Sequence, residues 1–240
     1  MVKLQIIQGL IMNKLLIALT VALLSGSLGV ANATEGDSSI SVGYAQIHSN
    51  GLRSFMNKNL RLNNEMRKEM EAVIKNDGKA SSDIDKYKNL NGFNIKYRYE
   101  LDDSWGVIGS FTYAWGDFDG NYNLSRSSDV YYSYEGHIKS KYLNVMAGPS
   151  YRFNDYASFY GMIGVANNQI KSSYSWNDHG FYSNSLSHDD GNEKHNKTNV
   201  AYGVGLQTNP VKNVVIDVAY EGAAGGLNSS GFTLGVGYSF

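Results

Sequence analysis

Six charged residues, Lys96, Arg98, Glu100, Arg152, Asp217 and Glu221, sit in stretches where apolar and polar residues alternate. On a strand, alternation sends successive side chains to opposite faces, so each of the six falls away from its apolar neighbours. Cations and carboxylates gathered on one enclosed face would pair, because unpaired charge out of bulk water is costly. The chemistry this implies is a packed polar interior; an ion or proton path is the alternative reading of the same residues.

The remaining reactive groups assemble into nothing catalytic. His48, His137, His179, His188 and His195 lie in or beside polar stretches between the alternating segments. His188-Asp189-Asp190 with His195 offers nitrogen and oxygen ligands, but the spacing fits no metal-ligand pattern. Asp117-Phe-Asp-Gly-Asn121 resembles the start of a calcium loop, yet Ser128 stands where the twelfth-position acid belongs. Gly203-Val-Gly205 and Gly235-Val-Gly237 lie inside alternating segments, where small inward residues relieve crowding, and are not nucleotide loops. No nucleophile–base pair or acid dyad emerges, and cysteine is absent. The reading is a non-enzyme with no cofactor and no metal.

One polar stretch has its own character. Residues 49–89 carry nine basic residues against six acidic ones. Arg67, Lys68, Lys75 and Lys79 are the candidate contacts for an anionic partner, with salt-sensitive affinity; a solvated mixed-charge loop is the plainer reading. Within 60–76, Leu62, Met66, Met70 and Val73 recur at helical spacing among Glu65, Arg67, Lys68, Glu69 and Glu71, and Asp77-Gly78 would stop such a helix. Met66, Met70 and Val73 are a candidate apolar contact if the stripe faces a partner. The same pattern fits a helix folded back onto the protein, or a disordered loop.

The elements that position these residues are strands. Phe232, Leu234, Val236, Tyr238 and Phe240 alternate with Thr233, Gly235, Gly237 and Ser239, and the chain ends on that apolar face. In a closed barrel lipid covers such a face, and the C-terminal strand serves as the insertion signal read by the barrel assembly machinery. Reading back, alternation recurs over about ten residues, enough for a tilted strand to cross a bilayer. Outer faces run through Ile40, Val42 and Tyr44; Phe93 to Leu101; Trp105 to Trp115; Leu143 to Phe153; Thr198 to Leu206; and Val214 to Tyr220. Residues 157–169 are apolar on both faces, so their phase is ambiguous. The total is eight strands.

Connections alternate in length. Asp102-Asp103-Ser104, Asn154-Asp155 and Asn209-Pro-Val-Lys-Asn213 are tight turns, whereas 49–89, 116–137, 170–196 and 221–230 read as long polar loops. Tyr131, Tyr132, Tyr134, Tyr142, Tyr174 and Trp176 read as an aromatic girdle where strands leave the membrane, with a sugar-binding platform as the alternative. Met12-Asn13-Lys14, the apolar run 15–24 and Ala31-Asn32-Ala33 form a signal peptide, giving domains 1–33 (signal, with an upstream extension) and 34–240 (barrel). The formal net charge of −1 is too mild to suggest nucleic acid.

Five ordered blocks carry a resemblance. Gly92-Phe-Asn-Ile-Lys-Tyr-Arg-Tyr-Glu100, Ala147-Gly-Pro-Ser-Tyr-Arg-Phe-Asn-Asp-Tyr156, Phe159-Tyr-Gly-Met-Ile-Gly-Val165, Asn209-Pro-Val-Lys-Asn-Val-Val-Ile-Asp217 and Gly235-Val-Gly-Tyr-Ser-Phe240 resemble the Ail/Lom family of enterobacterial outer-membrane proteins. The first loop departs from that family in being longer. The resemblance implies an all-β, eight-stranded antiparallel transmembrane barrel with long extracellular loops, short periplasmic turns and periplasmic termini. It also implies adhesion, invasion or serum resistance through the loops, in contact with outer-membrane lipid, lipopolysaccharide and host-surface, matrix or complement-regulatory proteins. The alternatives are a structural barrel supporting membrane integrity or phage exclusion, and an outer-membrane lipid-modifying enzyme. A monomer is expected.

Overall fold

A computed structural model describes residues 36–60, 64–127, 129–182, 185–225 and 227–240. The signal segment, Thr34 and Leu62 lie outside them. The elements are β1 (Ser38–Ser49), α1 (Asn50–Asn59), α2 (Asn64–Lys75), β2 (Lys79–Ile84), β3 (Leu90–Glu100), β4 (Trp105–Ser125), β5 (Tyr131–Asn154), β6 (Ala157–His179), β7 (Leu186–Thr208), β8 (Val214–Ala224) and β9 (Ser229–Ser239).

Antiparallel pairing runs β1–β3–β4–β5–β6–β7–β8–β9 and returns to β1, so eight strands close into a barrel. Closure begins where Ser39 faces Ser239 and continues to Ser49 facing Ser229. The ninth strand, β2, stands outside the ring and pairs only with β4, from Lys79 opposite Ser125 to Ile84 opposite Gly120. It lies inside the stretch that reads as the first loop.

The closing turns at the end that holds Ser38 and Phe240 are short, and their polar residues hold them. Asp102 Oδ1 accepts from the amides of Ser104 (2.8 Å) and Trp105 (2.7 Å), a local bond that turns the chain from β3 into β4. Asn213 takes the left-handed conformation (φ 67°) that Asn tolerates, ahead of β8.

At the opposite end the structure corrects the loop reading. Residues 116–137 and 170–196 are mostly strand: β4 to β7 run on for 21 to 24 residues, about twice what a bilayer needs. Their upper halves form a sheet projecting beyond the barrel, with β2 at one edge and β7 at the other. Between β8 and β9 only 225–228 remain as a connection.

The phase of 157–169 is settled as well. Tyr160, Met162 and Ala166 are buried inside, while Phe159, Ile163 and Val165 face out. The outer belt is apolar and exposed all round, including Val42, Val107, Val145, Val204 and Val236. Among the described residues no helix is long and apolar enough to cross a membrane; the strands do the crossing.

Candidate functional site: barrel interior and projecting sheet

The six charged residues singled out in the sequence share the barrel interior. Near the closed end Glu100 Oε1 accepts from Arg98 and from Arg152 Nη2 (2.6 Å). Higher up, Lys96 Nζ lies 2.5 Å from Asp217 Oδ1 and donates to Thr233 Oγ1 (2.9 Å); Tyr160 donates to Asp217 Oδ2 (2.8 Å). Tyr160 fits because Gly205 faces it: a Cβ there would stand 2.2 Å from the phenol oxygen. Glu221 Oε2 accepts from Thr112 (2.9 Å), and Asn94 ties Ser110 to Thr112. Lys96 and Asp217 are 1% and 0% exposed. Eight strands leave room for side chains to fill the interior, and these do.

Above this polar packing sits an apolar plug that the sequence reading missed. Ser49 caps α1 by accepting from the Leu52 amide (3.3 Å), and its own amide donates to Tyr87 Oη (2.7 Å). Leu52, Met56 and Leu60 then recur four apart and pack with Ile47, Leu90, Phe118, Ile138 and Ile170 across the mouth. The signal was present: a Ser N-cap followed by an i, i+4, i+8 apolar row. The closed mouth and filled interior do not favour an ion path.

α2 forms within the predicted stretch and ends where Asp77 turns left-handed (φ 59°), with the Gly78 amide bonded to Val73 O (2.9 Å). Its apolar side is not presented to a partner. Val73 is buried with Tyr122, Leu124 and Phe181, and Met70 packs on the same cluster, because the inner face of the projecting sheet is itself apolar and takes the stripe. Tyr182 fastens the helix by donating to Glu69 (2.8 Å). The Met66 side chain lies outside the described residues. Arg67, Lys68, Lys75 and Lys79 are exposed.

The aromatic residues read as a girdle are elsewhere. Tyr142 is fully buried in the barrel. Tyr132, Tyr134 and Trp176 belong to the projecting sheet, where Tyr134 stacks on Tyr122 with ring centroids 5.1 Å apart and Tyr132 lies near Trp176. The lipid boundaries carry other rings: Trp105 against Tyr151 (5.0 Å) at the terminus end, and Tyr113 against Trp115 (5.5 Å) where β4 leaves the belt.

On the outer face, just above the apolar belt, the register builds a cationic row. Lys139 faces Lys171, and Lys171 faces Lys194. Lys141 stands one step nearer the membrane, opposite Trp115. All four are exposed, and none forms an ion pair among the described residues, although Asp117 faces Lys139 at one end. Like charges directly opposite on a sheet repel, so this row gains from a bound anion. The row is invisible in the sequence because Lys171 and Lys194 fall in a stretch that reads as loop and Lys139 falls between a loop and a strand, where no register is defined. The histidines do not gather: among the described residues no group of three or more acidic or histidine side chains is placed to hold a metal.

Comparison with known proteins agrees with this architecture. The enterobacterial Ail/Lom protein family matches residues 68–240. The attachment invasion locus protein of Yersinia enterocolitica is 36% identical over 232 residues, covering 95% of this chain and all of that protein. The virulence membrane protein PagC of Salmonella typhimurium is 35% identical, over 68% of this chain and 84% of that one. Among solved structures, Ail of Yersinia pestis in complex with the heparin analogue sucrose octasulfate is 32% identical, with a TM-score of 0.52, covering 86% of this chain and 99% of that one. The tight turns and termini therefore face the periplasm and the projecting sheet faces outward. With its lipid-facing belt, its register and its relatives in agreement, the chain belongs to the enterobacterial Ail/Lom family of outer-membrane barrels.

Proposed function

We propose that this virulence-family barrel is a surface adhesin that recognises anionic polysaccharide, and that it is not an enzyme. The single observation that supports the reading is the unpaired row Lys139–Lys171–Lys194, held at fixed spacing on rigid strands and facing away from the barrel. Arg67, Lys68, Lys75 and Lys79, exposed on α2 and at the start of β2, add a second cationic surface. The heparin analogue bound by the Yersinia pestis relative is a polysulfate, the chemistry such surfaces attract. Adhesion of this kind would underlie invasion or serum survival. The position of the row directly above the apolar belt favours a second occupant, lipopolysaccharide phosphate of the same membrane.

The test is capture of intact expressing cells on immobilised heparin. Joint K139Q, K171Q and K194Q substitution is expected to lower capture by about threefold to a hundredfold, at roughly 0.2–1 kcal/mol per exposed pair. Raising salt should weaken the wild type in the same way. Capture unchanged by the triple substitution and by salt overturns the reading and leaves a structural barrel. Loss of capture only in cells with full-length lipopolysaccharide would identify the membrane's own phosphates as the occupant.

A further inference from the structure

From Leu186 to Asn199, β7 pairs with β6 on one side, and β8 takes up its other side only from Val200. This leaves a long open edge whose amides and carbonyls have no strand partner, and most of its side chains are exposed. An open edge is a template for another strand, and proteins commonly guard one with charge. Here the charge is divided rather than uniform. Asp189 and Asp190 lie toward the tip, and Lys194, His195 and Lys197 toward the membrane. Contacts within the chain touch part of it: the His195 ring packs edge-on against Phe55 of α1 (5.4 Å) and approaches Glu193 (3.5 Å), and His188 donates to the Trp176 carbonyl (2.9 Å). Asp190 has only a 3.8 Å approach to His188, and Lys194 has no ion pair among the described residues.

A second copy of the same edge can add antiparallel only through a two-fold axis normal to the sheet, which sets residues of like parity face to face. With the axis at Asn192, Asp190 meets Lys194 of the second copy on the outer face, and Asp189 meets His195 on the inner face. Each contact occurs twice. Leu186 then meets Thr198, so the axis falls at the middle of the open stretch and the whole of it is used. No like charges oppose. Moving the axis to Gly191 sets Asp189 against Glu193; moving it to Glu193 leaves Asp189 against Lys197 as the sole charge match.

We propose that the open edge of β7 pairs in this register with the same edge of a second copy on an apposed cell, making the protein a homotypic cell–cell adhesin. The strand runs from its tip toward its own membrane, so an antiparallel partner runs the other way, toward the membrane of its own cell, and the two barrels lie at opposite ends of the joint sheet. The overlap spans on the order of 40 Å at ~3.3 Å per residue, so long surface polysaccharide would keep the edges apart.

The experiment uses a laboratory strain with truncated lipopolysaccharide, expressing the full chain, and follows the settling of suspended cells. Wild-type cells should settle. D190K and K194D cells, each with two symmetric contacts reversed, should settle about tenfold more slowly. A mixture of D190K cells with K194D cells, labelled in two colours, should settle together, because the reversed charges are complementary across the two variants. The double variant D190K/K194D should settle like the wild type. Surface amount and heat-modifiable migration on gels show that each variant has folded. Dispersed wild-type cells, single variants that settle normally, or a mixture that stays dispersed while all variants are folded would each overturn the proposal. Heparin capture, read in parallel, has no means of rescue by mixing, so the two readings fail separately.

Discussion

The lower and upper halves of β4 to β7 are continuous strands with one register and opposite polarity. In the lower half the inner face carries Ser110, Thr112, Asn144 and Arg152, and the outer face carries Val107, Phe111, Leu143 and Val145. In the upper half the inner face carries Phe118, Tyr122, Leu124, Ile138 and Ile170, while the outer face carries Asp119, Glu135, Lys139, Lys171 and Lys194. The backbone does not change; the solvent does. Hydrocarbon outside the lower half forces polar groups inward to pair with one another. Water outside the upper half sends them outward and leaves the inner face to be covered by α1 and α2.

The largest effect should come from breaking the lower interior. Asp217→Leu leaves the Lys96 ammonium buried without its partner, at about 3–5 kcal/mol, read as denaturant stability of the detergent-folded barrel. The K96M/D217L pair should recover most of that loss, since neither charge is then stranded. A comparable loss in the upper inner face follows Phe118→Ala, about 3–5 kcal/mol, but it should appear as faster amide exchange in the projecting sheet while the lower barrel keeps its protection. On the outer face the two halves should respond unequally to one substitution. Val145→Lys at the lipid belt should cost about 2–4 kcal/mol, whereas Glu135→Lys above it should stay within about 0.5 kcal/mol.

A smaller effect separates the halves by pH. Burial holds the phenols of Tyr122 and Tyr134 above the ordinary tyrosine range. Each stabilises the fold while neutral, so the contribution is complete below about pH 10 and is lost as pH rises through the raised values. Amide exchange around the α2 packing should therefore accelerate in strong alkali. Acceleration confined to lower pH would contradict the burial of these rings.

The lower half was legible in the sequence because its alternation keeps one phase from Trp105 to Trp115 and from Leu143 to Phe153. The upper half was hidden by the inversion itself. After Trp115 the apolar positions move from odd to even, to Phe118, Tyr122 and Leu124, so a reading that follows one phase ends the strand where the solvent changes. The lysine row was lost with it, since facing residues exist only once a register does. The helical spacing of Met70 and Val73 was legible but not its partner: a stripe looks the same whether it meets a foreign protein or the inner face of its own sheet.

The absence of cysteine makes a direct measurement of the inversion possible. Single cysteines placed at outward positions of β5, from Tyr151 up to Glu135, would be challenged on intact cells with a membrane-impermeant maleimide. The account predicts that positions 143–151 are protected and 135–139 react, with the switch falling beside Lys141. Reaction at Val145, or protection at Lys139, would contradict it.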